Sequence, residues 1–244
     1  MVLACLLFAS TVLSQQGRAG QTLTEAQRLL QLGEAAAQRG LYEEAIRDYS
    51  EAILSARNDA RTEALANYNL GSVYLVLQKY EDAVKAFQQS ISLNQHAASA
   101  YDGLGQALGA LGQYSQSVEA FKKALSVAPA RADSYYNLGV TYNKMRQFRD
   151  AEVAYRRAIK LKPNYASAYD ALAVALSQMG RASEAVAYHQ KAIKLSPQDA
   201  SYYYNLALTY LAIGYRDGAI EMERKLQTMN PQAAERLATI INQQ

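Results

Sequence analysis

Tryptophan is absent, cysteine occurs once (Cys5), histidine twice and proline four times in the 244 residues of the chain. A single cysteine excludes an intramolecular disulfide and a thiolate metal site. His96 and His189 lie far apart with no partner at ligand spacing, so neither a metal nor any other cofactor is expected. There is no Gly-rich phosphate loop, no paired-carboxylate pattern and no nucleophile–base pair that would suggest catalysis. No apolar stretch reaches the roughly 20 residues that a membrane-spanning helix requires. Charge of one sign is also scarce, because 25 Lys/Arg against 22 Asp/Glu leave a net +3. Residues 1–122 hold 9 basic and 12 acidic side chains and residues 123–244 hold 16 and 10, so the balance runs from −3 to +6. That asymmetry suits an acidic partner at the C-terminal half but is too dilute for a nucleic-acid surface.

What is plentiful is apolar surface, 50% of the chain, and tyrosine, with 19 residues. Such a composition belongs to an ordered chain with a core. Residues 2–13, VLACLLFASTVL, fit the apolar segment of a secretory signal, although no basic residue precedes them. Export with cleavage near Ser14, and hence a periplasmic, lumenal or secreted location, is the expectation. An uncleaved leader, a lipoprotein modified at Cys5, and a cytoplasmic or membrane-associated location are the alternatives.

Pro129, Pro163, Pro197 and Pro231 stand 34 residues apart. A proline cannot continue a helix interior, so each marks the end of one helical stretch and the approach to the next. Within 132–165, Tyr135, Leu138, Gly139 and Tyr142 share one helix face, a turn falls near Arg146-Gln147, and Ala151, Tyr155 and Ala158 share a second face. Small residues recur at Gly33, Gly71, Gly105, Gly139, Ala173 and Ala207 and again at Ala45, Ala83, Ser117, Ala151, Ala185 and Ala219. A large residue recurs at Tyr49, Phe87, Phe121, Tyr155, His189 and Glu223. Gly40, Gly112, Gly180 and Gly214 stand where the first helix of a pair must stop.

These positions resemble the tetratricopeptide repeat (TPR), a helix–turn–helix unit of 34 residues. The resemblance implies an all-α fold: a right-handed α-solenoid, the TPR superhelix, with a capping helix at its C-terminal end. Residues 1–20 form the leader and flexible start. Residues 21–233 form the array, with repeats at about 26–59, 64–97, 98–131, 132–165, 166–199 and 200–233. Residues 60–63 are an insertion, Thr22 to Glu25 read as a capping box for the first helix, and residues 234–244 form the cap.

A second period of 68 residues lies over the first. NYNLGSVY at 67–74 returns as YYNLGVTY at 135–142 and YYNLALTY at 203–210, whereas the intervening repeats carry Tyr101-Asp102 and Tyr169-Asp170. In TPR proteins the first helices line a concave wall. The resemblance therefore implies a peptide-binding groove formed by Tyr68, Asn69, Ser72, Asp102, Gln106, Tyr136, Asn137, Asn143, Asp170, Tyr204 and Asn205. Two readings of Asn69, Asn137 and Asn205 stay open. Their amides grip a peptide main chain, or they bond neighbouring helices.

The lysine-rich carboxylate clamp of co-chaperone TPR domains is not expected, because Leu30, Glu34, Asn69, Ser99 and Gly103 occupy its positions. His189 is expected to pack as the aromatics at its position do. Arg156, Arg157, Lys160, Lys162, Lys191 and Lys194 predict a basic stripe on the second helices, open to an acidic partner. The function implied is a non-catalytic scaffold or assembly factor that binds segments of other proteins. The alternatives are a substrate-recruiting subunit of an enzyme complex and, through the basic stripe, a binder of acidic partners or nucleic acid.

Overall fold

The computed structural model describes residues 23–243, so the leader and Thr22 lie outside the described residues. Among these residues there are thirteen α-helices and no strand. They are α1 (Glu25–Gln38), α2 (Tyr42–Ser55), α3 (Ala60–Val76), α4 (Tyr80–Leu93), α5 (Ala98–Ala110), α6 (Tyr114–Val127) and α7 (Ala132–Lys144). There follow α8 (Phe148–Leu161), α9 (Ala166–Gln178), α10 (Ala182–Leu195), α11 (Ala200–Ala212), α12 (Arg216–Met229) and α13 (Pro231–Asn242). The chain divides into two compact units, one ending at Gly112 (α1–α5) and one beginning at Gln113 (α6–α13).

Local chemistry sets the helix ends. Gly40, Gly112, Gly180 and Gly214 adopt φ between 74° and 78°, the left-handed conformation that glycine reaches without steric penalty. Gln78 and Arg146 fill the same place in the other two repeats at φ 58° and 59°, so those turns are formed against a steric cost. The first helix is capped by Thr24 rather than Thr22. The Thr24 hydroxyl accepts from the Gln27 backbone and the Gln27 side chain accepts from the Thr24 backbone, while Glu25 is already helical. A glutamine at the third helical position closes the box as well as a glutamate does.

The insertion at 60–63 is not a loop. Asp59 caps the Thr62 N–H at 3.1 Å, and the four extra residues lengthen α3 to 17 residues where α5 has 13. Pro231 opens α13 at its first turn, a position where the missing N–H costs nothing.

Three of the helix pairs, α1–α2, α3–α4 and α7–α8, are held by large rings set against glycine. Tyr49, Phe87 and Tyr155 are essentially inaccessible to solvent. A Cβ built on Gly71 would lie 2.9 Å from the Phe87 ring, and one on Gly139 would lie 2.6 Å from the Tyr155 ring. Only glycine lets the two helices approach this closely. At the far end of the second unit, Leu226 stands where the earlier repeats have Ala52, Ser90, Ala124, Ala158 and Ala192. It packs in one cluster with Leu237 and Ile241 of α13, which closes the array.

Candidate functional site

Within each unit, successive first helices approach one another backbone to backbone: α1, α3 and α5 in one, and α7, α9, α11 and α13 in the other. Successive second helices do not, and only long side chains span the gap between them. Each unit therefore curves toward its first-helix side, and the proposed ligand residues belong to those helices.

Their exposure differs sharply. In the first unit Asn69 and Asp102 are buried, while Tyr68, Ser72 and Gln106 are half-buried. The Tyr68 ring packs 6.0 Å from Phe87, and the Ser72 hydroxyl donates to the Tyr68 carbonyl at 2.9 Å. In the second unit Asp170 is buried, and Tyr136, Asn137, Asn143, Tyr204 and Asn205 are half-buried. Tyr136 lies 5.9 Å from the Tyr155 ring and 5.0 Å from that of Tyr165. Burial first, then the neighbouring Tyr202 and Asp170, pushes its hydroxyl pKa up. Asn143 keeps an enclosed side-chain oxygen with no hydrogen-bond partner among the described residues.

Two of the three asparagines bond the preceding repeat. Asn69 Nδ2 donates to Glu34 Oε1 at 3.1 Å, and Asn205 Nδ2 donates to Asp170 Oδ2 at 2.8 Å. Each acceptor stands 35 residues before its donor. The 68-residue echo thus has a structural content, since carboxylates at Glu34, Asp102 and Asp170 alternate with amides at Asn69, Asn137 and Asn205. Glu34 was missed as part of this pattern, yet its spacing of 68 from Asp102 was visible.

Asp170 is also bonded to His189, whose Nδ1 lies 2.7 Å from Asp170 Oδ1 while Nε2 lies 3.1 Å from Thr209 Oγ1. A carboxylate accepts, so Nδ1–H donates to Asp170. Thr209 has one proton and three acceptors in reach, His189 Nε2, the Asn205 carbonyl and the Ser177 hydroxyl oxygen, and donates to one at a time. The order carboxylate–imidazole–hydroxyl is that of a charge-relay hydrolase. Here His189 is wholly enclosed, and Thr209, 3% exposed, has its hydroxyl within reach of Ser177 and its own helix. No substrate carbonyl can reach that hydroxyl, and the group serves as a buried polar link between α9, α10 and α11.

On the second helices the basic cluster is divided. Arg156 donates to Glu152, Glu184 and the Tyr188 hydroxyl, and Arg181 donates to Glu152 and Glu184, a clasp between α8 and α10. Lys162 lies 4.4 Å from the centre of the Tyr165 ring and Arg157 5.8 Å from that of Tyr135. Lys160, Lys191 and Lys194 stand exposed.

Burial alone would raise the Glu152 pKa, but its bonds to Arg156 and Arg181 outweigh that and hold it below the usual carboxylate value. The unfolded chain consequently takes up this proton first as pH falls. The stabilisation is complete above about pH 4.3, the ordinary glutamate pKa, and drains away as pH drops toward the folded value. Glu152→Gln should therefore flatten the acid limb of a stability–pH profile measured by urea unfolding. An unchanged limb would mean that the clasp contributes nothing.

Among the described residues no helix is long and apolar enough to cross a membrane, and no group of three or more potential metal ligands exists.

Several solved structures share this architecture. MamA is 27% identical with a TM-score of 0.63, the match covering 73% of this chain and 95% of that one. YrrB, described as a TPR protein with an unusual peptide-binding site, is 25% identical with a TM-score of 0.63, covering 78% and 97%. PilW, described as a type IV pilus biogenesis factor, has a TM-score of 0.78 over 91% and 100%, but at 24% identity it attests the fold alone. No curated protein matches the sequence. Proteins of this fold are generally non-catalytic protein–protein interaction scaffolds. The family model that matches spans residues 3–240, nearly the whole chain, and with six tandem helix pairs and a closing helix among the described residues the chain belongs to the TPR family described as the Cilia and flagella-associated protein 70 C-terminal domain.

Proposed function

We propose that this protein is a scaffold that binds extended segments of partner proteins on the first-helix faces of its units. The observation that carries the reading is the chemistry left accessible there. Half-exposed Tyr68 and Gln106 in one unit, and Tyr136, Asn137 and Tyr204 in the other, offer ring surface with amide and hydroxyl partners. Tyrosine supplies rigid contact area at low entropic cost, and amides pair with a main chain whatever its sequence. Asn69, Asp102 and Asp170 are buried, so the binding surface is narrower than the eleven positions suggested by the repeat pattern. The peptide-binding site in the description of YrrB supports the same class of ligand.

Selection from a randomised twelve-residue peptide library tests it. Selected peptides should lose about tenfold or more in affinity to a Tyr204→Ala, Gln106→Ala variant, the loss of one good aromatic or hydrogen-bonded contact at each face. They should ignore Val153→Ala on the outward side, where Val153 is 70% exposed. Peptides that instead lose binding only to Lys160→Glu, Lys191→Glu, Lys194→Glu would move the site to the second helices and to an acidic partner.

A further inference from the structure

Between α11 and the capping helix α13 lies a cleft of about 280 Å³, lined by Ser201, Tyr204, Asn205, Asn230, Gln232 and Arg236 together with two alanines. It opens to solvent, takes one side chain or one chain end, and falls below the usual size of a site for a drug-sized molecule. Its polar groups are unbalanced. Arg236 is the sole charged side chain in the lining; like Ser201, Asn230 and Gln232 it is exposed to solvent, and it makes no hydrogen bond or ion pair among the described residues.

The Asn230 side-chain oxygen is used on the Ala233 N–H, which leaves its amide donors, and the Gln232 amide and Tyr204 hydroxyl add further donors. The neighbouring aspartates keep their charge, but their oxygens are already hydrogen-bonded to groups other than Arg236. Asp170 accepts from Asn205 and His189, and Asp199 accepts from the Ser201 N–H and hydroxyl. Glu235 adjoins Arg236 in sequence but occupies another side of α13.

From this lining we infer that the cleft is a subsite for a carboxylate of the bound segment. One guanidinium matches one negative charge and forms charge-assisted bonds to two oxygens, whereas a phosphate carries nearly two charges and calls for a cluster of arginines. Tyr204 is shared with the first-helix face, so a segment lying along α7, α9 and α11 places an acidic side chain or its own terminus against Arg236. The inference rests on the peptide-binding reading above.

Three blocked tripeptides separate the sources: acetyl-Ala-Ala-Glu-amide, acetyl-Ala-Ala-Gln as the free acid, and the neutral acetyl-Ala-Ala-Gln-amide. Each is titrated into the full chain while the Arg236 Nε–H and the Asn230 and Gln232 amide signals are followed by NMR. One or both carboxylate probes should bind about tenfold or more tightly than the neutral one, and Arg236→Gln should erase that preference. A response to the glutamyl amide assigns the subsite to acidic side chains, and one to the free acid assigns it to chain ends. Equal response to all three probes, silence at Arg236, or a preference that survives Arg236→Gln overturns the inference. Neutral binding that perturbs Tyr136 and Tyr204 alone would do so while leaving the peptide face intact. A carboxylate preference in a protein whose selected peptides ignore Tyr204→Ala, Gln106→Ala would do the reverse.

Discussion

His189→Phe is expected to destabilise the second unit by about 3 kcal/mol, although it restores the ring type found at the equivalent Tyr49, Phe87, Phe121 and Tyr155. A phenyl ring fills the enclosed site but cannot donate to Asp170 Oδ1, which His189 meets at 2.7 Å. Asp170 keeps its bond from Asn205. It is nevertheless left as a buried carboxylate short of one donor, the costly case in which one partner of a pair is removed. Thr209 loses its imidazole neighbour as well, though its hydroxyl can turn to the Asn205 carbonyl.

Urea unfolding followed by circular dichroism, compared at constant m-value, measures the loss. In the His189→Phe background, Asp170→Ala should cost about 1–3 kcal/mol less than it does alone, because it removes the stranded carboxylate. A His189→Phe protein as stable as the parent would mean that ring volume alone matters at this position.

Phe87→Ala should cost about 3–5 kcal/mol, as for other buried aromatic truncations, and should be felt mainly in the first unit. The ring is wholly buried and lies against two first helices at once, at Gly71 of α3 and, more closely, at Gly103 of α5. That contact predicts a change of sign. Gly103→Ala alone gains about 1 kcal/mol in helix propensity but drives a methyl group into a ring that cannot move aside, which costs about 1–3 kcal/mol. In the Phe87→Ala background the methyl enters the vacated space, and the same substitution becomes stabilising. If Gly103→Ala has one effect in both backgrounds, ring and glycine are not in the contact described.

The two periods of the chain were unequally legible. The period of 34 could be read directly, because each repeat closes the same helix pair with the same small and large side chains. It placed the thirteen helices, the left-handed glycines and the cap. The insertion at 60–63 was visible as four extra residues but not as an extra helical turn. That outcome depended on Asp59 capping α3, and a helix cap is a matter of backbone geometry as well as residue type.

The 68-residue period was also visible, but its meaning was not. Asn69 and Tyr68 are sequence neighbours, yet one is buried against Glu34 and the other is half open. A helix turns about 100° per residue, so one step along the chain exchanges the packed side for the open one.

By itself the sequence determined the fold class, the repeat period and the packing role of the glycines and aromatics. Only the tertiary structure decided which polar side chains remain available to a ligand. Glu34 and Asp170 find their amide partners 35 residues away, on helices that meet only when repeats stack, and His189 meets Asp170 across the helix pair of its own repeat, 19 residues away. The cleft beside Arg236 likewise exists only because α13 lies against α11. Local residue pattern carries the information for a helix and its apolar face. Burial of a polar group is set by whatever packs over it, and in a solenoid that is the partner helix or a neighbouring repeat.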